Sequence, residues 1–174
     1  MITLEQAIAL AEAYRREHGA TWFQPPPEGV VDRPSFWFLP VGFIGSCGVA
    51  VDKADRRLHV FGSALPLEEW LWGHEHGFTG ERQVLTITAV NDLAATAEFL
   101  EGLQPRPPLP VGDPAERREA IRRWHGERTR LQALKLSVLP HSLPAQPLWA
   151  WIPSLRKVSE EGHPFRFRVM EASP

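Results

Sequence analysis

Residues 48–74 constrain the fold most, because the pattern of a hairpin is followed there directly by the pattern of a helix. Segments 48–53 (GVAVDK) and 57–62 (RLHVFG) alternate between apolar and polar residues and flank a polar turn at 54–56. This arrangement predicts an antiparallel hairpin. Four apolar side chains are expected to share one of its faces: Val49, Val51, Leu58 and Val60.

The helix after the hairpin has its own start signals. Ser63 or a residue close to it is expected to be the N-cap, and Pro66 suits the first helical position, where a missing N–H breaks no helical hydrogen bond. Glu68 and Glu69 follow in the first turn, where carboxylates interact favourably with the helix dipole. We therefore expect a helix near residues 66–74, set against the sheet.

The chain before the hairpin is predicted to form a helix, a loop and a strand. Thr3 and Gln6 fit a capping box at the start of an amphipathic helix. Residues 24–29 (QPPPEG) predict a loop, because successive prolines remove backbone donors. Segment 36–43 (FWFLPVGF) is aromatic and prone to β structure, but Pro40 predicts an edge strand or two short pieces.

A second strand-then-helix step follows the hairpin unit. Residues 83–90 (QVLTITAV) predict a strand that extends the same sheet, and Asn91 is expected to cap the next helix. Residues 104–114 (QPRPPLPVGDP) have the composition of a semi-rigid connector.

The connector ends at the start signals of a long helix. Asp113 is the expected cap, Pro114 takes the first position, and the apolar side is expected to be Ile121, Trp124, Leu131 and Leu134. The C-terminal segment predicts two strands around a turn at 160–162. In the second of these strands, Phe165, Phe167 and Val169 alternate with Arg166 and Arg168.

These elements predict an α+β fold: a small antiparallel sheet with an N-terminal helix and a helix after the central hairpin, plus a helix-rich C-terminal extension. Residues 1–80 are expected to form the α+β core and residues 81–174 the extension, unless the two are one continuous domain. A chain of 174 residues can bury roughly two thirds of its unfolded surface.

The composition of the chain argues against some classes of binding partner. The formal net charge of -2 argues against nucleic acid, because phosphate binding needs a clustered basic surplus. No apolar run approaches the ~20 residues that span a bilayer, and the N-terminus lacks the pattern of a signal peptide. The single cysteine cannot form an internal disulfide, which suits a reducing compartment. We therefore expect a cytoplasmic protein without a membrane partner.

Few side chains have the spacing of a catalytic or metal site. Cys47 leads into a strand instead of a helix N-terminus, so it is expected to be a small buried residue and not a thiolate nucleophile. His74 and His76 are two apart, whereas a helical zinc pair needs a spacing of four. Asp52 and Asp55 stand where turns commonly use aspartate, and Glu68 and Glu69 diverge on a helix. We expect no catalytic residue, no metal ligand and no cofactor.

The N-terminal helix, the aromatic strand and the hairpin with its following helix together resemble the immunity protein 35 (YrhB-like) family. That family has the hairpin form P-x-x-V-D-(K/R)-x-x-G-x-(V/I)-H-x-x-G-(T/S)-(A/S)-x-P-L-E-E-Y, and the resemblance covers about residues 1–75. The matching positions are Val51, Asp52, Lys53, His59, Gly62, Ser63, Ala64, Pro66, Leu67, Glu68 and Glu69, with Trp70 in place of the tyrosine. The family's turn glycine is replaced in the region 55–57, its proline near 47–48, and residues 80–174 have no counterpart.

The resemblance implies a small α+β protein that binds and blocks a cognate toxin in the cytoplasm of the producing bacterium. The partner would then be a protein toxin, and the oligomeric state stays open. Exposed tryptophans are candidate anchors, and clustered carboxylates offer an acidic face to a basic toxin. The candidate anchors are Trp22, Trp37, Trp70 and Trp72; the acidic face is Glu68, Glu69, Glu75 and Glu81.

Two other functions remain open on the residues alone. An enzyme or metal-dependent small-molecule binder would use His59, His74, His76 or Cys47, and it predicts a concave pocket that joins at least three of them. A chaperone-like accessory protein would instead expose a contiguous apolar patch.

Overall fold

The computed structural model describes residues 1–18, 29–40, 46–103 and 113–172, and the chain divides into two compact units, residues 1–75 and 76–174. The predicted boundary at residue 80 lies five residues further along. The fold is α+β, as predicted, with five α-helices and two small antiparallel sheets in the described ranges. Trp22, most of the predicted loop 24–29, residues 41–43 of the predicted strand and most of the connector 104–114 lie outside them.

The first unit begins with helix α1 (Leu4–Glu17), and its predicted capping box is confirmed. The Thr3 hydroxyl accepts a hydrogen bond from the Gln6 backbone at 3.3 Å, and the Gln6 side chain accepts one from the Thr3 backbone at 3.0 Å. These two bonds satisfy backbone donors that have no partner within the helix.

Four antiparallel strands in the order β1-β2-β3-β4 form the first sheet. Their bounds are β1 Val31–Asp32, β2 Phe36–Pro40, β3 Ser46–Asp52 and β4 Leu58–Gly62. The edge position predicted for the strand at residues 36–43 is wrong over its described part, because β2 lies between β1 and β3. The alternative of two short pieces stays a prediction, since residues 41–43 lie outside the described ranges. Strand β1 pairs only with Trp37 and Phe38 of β2. Pro40 is tolerated because it is the last residue of β2 and needs to donate no hydrogen bond to β1.

The strand register separates the sheet into two faces. The predicted hairpin is confirmed: Val49 lies opposite Val60, and Val51 lies opposite Leu58. Helix α1 packs on this face through Ala7 and Ala11. The other face carries Phe36, Phe38, Ala50, Asp52, His59 and Phe61, as the pairings Phe36 with Asp52, Phe38 with Ala50 and Ala50 with His59 require.

Helix α2 (Leu67–Glu75) covers the second face of the sheet. Leu71 is fully buried against Phe36, Phe38, Ala50 and Phe61, and Leu67 and Trp70 pack beside it. Each large apolar side chain buried in this way contributes about 1.5–3 kcal/mol of transfer free energy. The first unit is thus a helix, sheet and helix in three layers.

The second unit has its own three-stranded sheet in the order β6-β5-β7. The strands are β5 Gln83–Val90, β6 His141–Ser142 and β7 Phe165–Glu171, and the helices are α3 Leu93–Gly102, α4 Pro114–Lys135 and α5 Ile152–Glu161, the last preceded by a short 3-10 turn at Trp149–Trp151. The strand at residues 83–90 is confirmed, but it pairs with β6 and β7 instead of extending the first sheet. The alternation of buried and exposed residues in β7 is also as predicted.

Two details of the second unit correct the predictions. Asp92, and not Asn91, caps α3, by accepting from the Ala95 backbone at 2.9 Å. Residues 152–161 form a helix instead of a strand. The apolar residues Ile152, Leu155 and Val158 recur every three positions and are buried on one helical side, and Gly162 ends the helix with φ 64°.

Helix α4 begins where predicted, with Asp113 as its cap, but its buried side differs. Leu131 and Leu134, which were expected to be buried, are more than half exposed, whereas Gln132 and the following Leu136 are buried. None of the helices among the described residues combines the length and apolar character needed to cross a membrane.

Candidate functional site

Asp52, His59 and His74 meet on the α2 side of the first sheet. Asp52 ends β3, and His59 in β4 lies on the same face because it pairs with Ala50, two residues before the aspartate. His74 stands one helical repeat after Leu71, so the packing of that leucine on the sheet directs the imidazole inward as well. Hydrophobic packing therefore brings together three polar side chains from three separate elements.

Both imidazoles direct Nε2 at the same carboxylate. Nε2 of His74 donates a hydrogen bond to Oδ1 of Asp52 at 2.7 Å, and Nε2 of His59 lies 3.4 Å from Oδ2. The two rings are inclined at 65° with centroids 4.9 Å apart, and the ring of Phe36 packs edge-on against His74 at 4.4 Å. One potential ligand atom from each of the three polar residues falls within 4.8 Å of the other two.

The cluster is partly shielded from water. The side chain of His74 is 2% exposed, that of His59 15% and that of Asp52 20%. Partial burial raises the pKa of Asp52, but its contacts with His59 and His74 outweigh burial and hold that pKa well below its ordinary value. Asp52 is therefore a carboxylate, and it faces two imidazole nitrogens.

Cys47 lies apart from this cluster, in β3 near the end of β4. Its Sγ is 3.5 Å from the carbonyl oxygen of Gly62 and 3.8 Å from that of Phe61, and the side chain is half-buried. Burial raises the pKa of the thiol, which opposes formation of a nucleophilic thiolate. His76 is exposed and is the first residue of the second unit. Of the four side chains named for an enzyme, the described structure places His59 and His74 in one cluster, with Asp52.

The predicted partner-binding residues divide between two sides of α2. Glu68, Trp72 and Glu75 follow one another at spacings of four and three, which places them on one stripe of α2. The buried Leu71, three residues after Glu68 and four before Glu75, borders this stripe on the side of the sheet. Arg33 forms ion pairs with both carboxylates, 3.7 Å from Glu68 and 3.6 Å from Glu75. The Glu68 side chain is 72% exposed and Trp72 is half-buried. We call Glu68, Trp72 and Glu75 the outer stripe.

The other named tryptophans and carboxylates have different surroundings. Trp70 is half-buried and stacks on Phe61, with ring centroids 5.5 Å apart. Trp37 donates from Nε1 to the Ile2 carbonyl at 3.2 Å, and Nζ of Lys53 lies over its ring. Glu69 is half-buried on α2, and Glu81 belongs to the second unit.

The second unit contains a groove between α3 and α4 with a volume of about 1030 Å³. Glu101 lies at its wall, is 5% exposed and accepts a hydrogen bond from Nδ1 of His125 at 2.7 Å. Gly102, Gly126 and Ala133 leave the helices little side-chain bulk there. Sequence reasoning missed this pair, because its two members lie in different helices on either side of the connector.

Part of the signal that predicts the Asp52 cluster is present in the sequence. The predicted hairpin already places Val49, Val51, Leu58 and Val60 on one face, and alternation then places Asp52 and His59 together on the other. His74 lies three residues after Leu71 and four after Trp70, and this spacing places it on the side of the helix that faces the sheet.

No protein-family model matches the chain, and comparisons with curated proteins and with solved structures give no match either.

Proposed function

We propose that this chain is a cytoplasmic immunity protein, which binds a cognate bacterial toxin and blocks it by stoichiometric occlusion. The observation that carries the proposal is the outer stripe of α2. A half-buried tryptophan between two carboxylates, on a helix that packs against the sheet, has the composition of a protein interface: an aromatic anchor with polar residues around it.

The charge of this surface favours a basic partner. Glu68, Glu69 and Glu75 bring three carboxylates to one short helix, and Arg33 contributes one cation through its two ion pairs. Exposed pairs of this kind contribute little to stability, at most about 1 kcal/mol each. Their value to an inhibitor lies in the negative potential, which accelerates encounter with a positively charged toxin and disfavours acidic proteins.

The geometry of the hairpin turn supports the family resemblance on which the proposal also rests. In the family pattern, the glycine that follows Val-Asp-Lys by three positions falls on residue 56. The backbone of Arg56 has φ 65°, a conformation that glycine adopts at little cost and that other residues seldom adopt. The chain therefore keeps the turn conformation that the glycine of the pattern would provide.

The proposal implies that a secreted toxin is encoded next to this chain, and co-expression of the two proteins tests it. We expect cells to survive the toxin only when the protein is present, and the purified pair to migrate as a one-to-one complex in size-exclusion chromatography. A catalytic antidote would protect at amounts far below one molecule per toxin molecule, whereas a stoichiometric inhibitor loses protection when toxin is in excess. Protection without a complex, or a complex without protection, would contradict the proposal.

A further inference from the structure

We propose that Asp52, His59 and His74 form a binding site for one divalent transition-metal ion, with Zn²⁺ as its natural probe. The proposal does not rest on toxin binding, because the cluster is built within the first unit from β3, β4 and α2. It departs from the expectation of no metal ligand, which rested on the spacing of His74 and His76. It adds Asp52 to His59 and His74, two of the side chains named for a metal-dependent binder.

The separations of the ligand atoms suit a metal ion after small movements. In a tetrahedral zinc site with bonds of 2.0–2.1 Å, neighbouring ligand atoms lie about 3.3 Å apart. Nε2 of His59 already lies 3.4 Å from Oδ2 of Asp52, and Nε2 of His74 lies 2.7 Å from Oδ1. These two distances run to different oxygens of Asp52. An ion held by one of them therefore requires a rotation of the carboxylate and shifts of up to about 1.5 Å, because one ligand atom from each residue lies within 4.8 Å of the other two.

The types of ligand select the class of metal. Imidazole nitrogens suit zinc, cobalt, nickel and iron, whereas Mg²⁺ and Ca²⁺ prefer sites made only of oxygen atoms. Two histidines and one carboxylate leave coordination positions for water or a further ligand, as in catalytic zinc sites and facial-triad iron sites. The side chain of Asp52 is 20% exposed and connects the cluster to solvent, whereas Nε2 of His59 is buried.

Metal binding moves a proton from one nitrogen of His74 to the other. Without metal, Nε2 of His74 carries the proton that it donates to Asp52; with metal, the same nitrogen uses its lone pair and the proton resides on Nδ1. Nδ1 of His74 is buried, and no residue in the described ranges accepts or donates a hydrogen bond there. Metal-binding histidines usually have such a partner, so we expect an affinity about 10–100-fold below that of a fully supported site.

The experiment uses the tag-free full chain after treatment with a chelator. Titration with Zn²⁺ in competition with a chromophoric chelator is expected to show one ion per chain, and Mg²⁺ is expected not to compete. The variants H59A and D52N should each lower Zn²⁺ affinity by about 100-fold or more. The matched control is H76A, which removes the neighbouring histidine of the His-x-His sequence and should leave the affinity unchanged.

Two titration results would overturn the proposal: absence of Zn²⁺ binding by the folded protein, or Zn²⁺ affinity that H59A and D52N leave unchanged. Far-UV circular dichroism shows whether the variants fold. A second measurement needs no variant, because imidazole ¹H–¹⁵N spectra resolve each histidine. Two of the seven histidines should show a metal-bound Nε2 on addition of Zn²⁺, and an unchanged spectrum would also refute the site.

Discussion

Nε2 of His74 donates a hydrogen bond to Oδ1 of Asp52 at 2.7 Å, which joins the last turn of α2 to the end of β3. D52A removes the acceptor and leaves a buried donor without a partner. We expect the free energy of unfolding to fall by about 2 kcal/mol, measured by urea denaturation of the metal-free protein. D55A is the control, because Asp55 is half-exposed and its removal, which breaks an ion pair with Arg57 and an exposed hydrogen bond from the Arg57 backbone, should cost only about 1 kcal/mol. Equal losses in both variants would show that the contact with His74 does not stabilise the fold.

Gly48 in β3 packs closely against the ring of Phe38. A Cβ at this position would lie 2.3 Å from ring atoms of Phe38 and 2.7 Å from the Leu39 carbonyl oxygen, and Phe38 is fully buried. We expect G48A to lower the free energy of unfolding by about 3 kcal/mol, because overpacking forces the strands apart. G126A provides the opposite case: its Cβ meets nothing within 4 Å, and alanine in the interior of α4 should raise stability by up to about 1 kcal/mol. A stability of G48A equal to that of the unsubstituted chain would refute the close packing.

Arg56 occupies the left-handed conformation in the hairpin turn, with φ 65°. R56G should raise the free energy of unfolding by about 1 kcal/mol, because glycine adopts this conformation without the clash between Cβ and the carbonyl oxygen. D55G, one residue earlier, should instead destabilise the protein, since Asp55 accepts a hydrogen bond from the Arg57 backbone at 3.0 Å. Thermal denaturation of the two variants separates these effects; a lower melting temperature for R56G would contradict the turn geometry.

Cys47 is expected to react slowly with alkylating reagents. Its half-buried position raises the pKa of the thiol, so the thiolate fraction at pH 8 is smaller than that of an ordinary cysteine with a pKa of about 8.5. The alkylation rate of the folded protein should still rise above pH 9, where the rate of the denatured chain levels off. Because the chain has a single cysteine, mass spectrometry reads this rate without ambiguity. A folded protein that reacts faster than the denatured chain would indicate an activated thiolate.

Local patterns predicted the first unit in most respects. The capping box of Thr3 and Gln6, the register of Val49 with Val60 and the helix after Pro66 follow from neighbouring residues, and the structure has all three. The interior position of β2 did not follow, because it depends on pairing with β1, a strand of only two residues. A pair of residues is too short to produce a periodic signal.

The second unit was harder to predict because its contacts join distant segments. The partners of β5 lie at residues 141–142 and 165–171, more than fifty positions away. The segment before Gly162 was predicted to be a strand but is a helix. Its apolar residues Ile152, Leu155 and Val158 recur every three positions, a spacing that places them on one side of a helix. The meeting of Asp52 with His74 likewise depends on how α2 lies on the sheet, which hairpin alternation alone does not determine.

The most direct test of recognition by α2 is the affinity of the purified protein for the neighbouring toxin after charge reversal. E68K/E75K should weaken binding by about 100-fold, because reversed charges at an interface repel a basic partner. E12K/E17K is the matched control, since it reverses two exposed carboxylates on α1, on the opposite face of the sheet. Binding of E68K/E75K as tight as that of the unsubstituted protein, or an equal loss in both variants, would contradict recognition through the outer stripe.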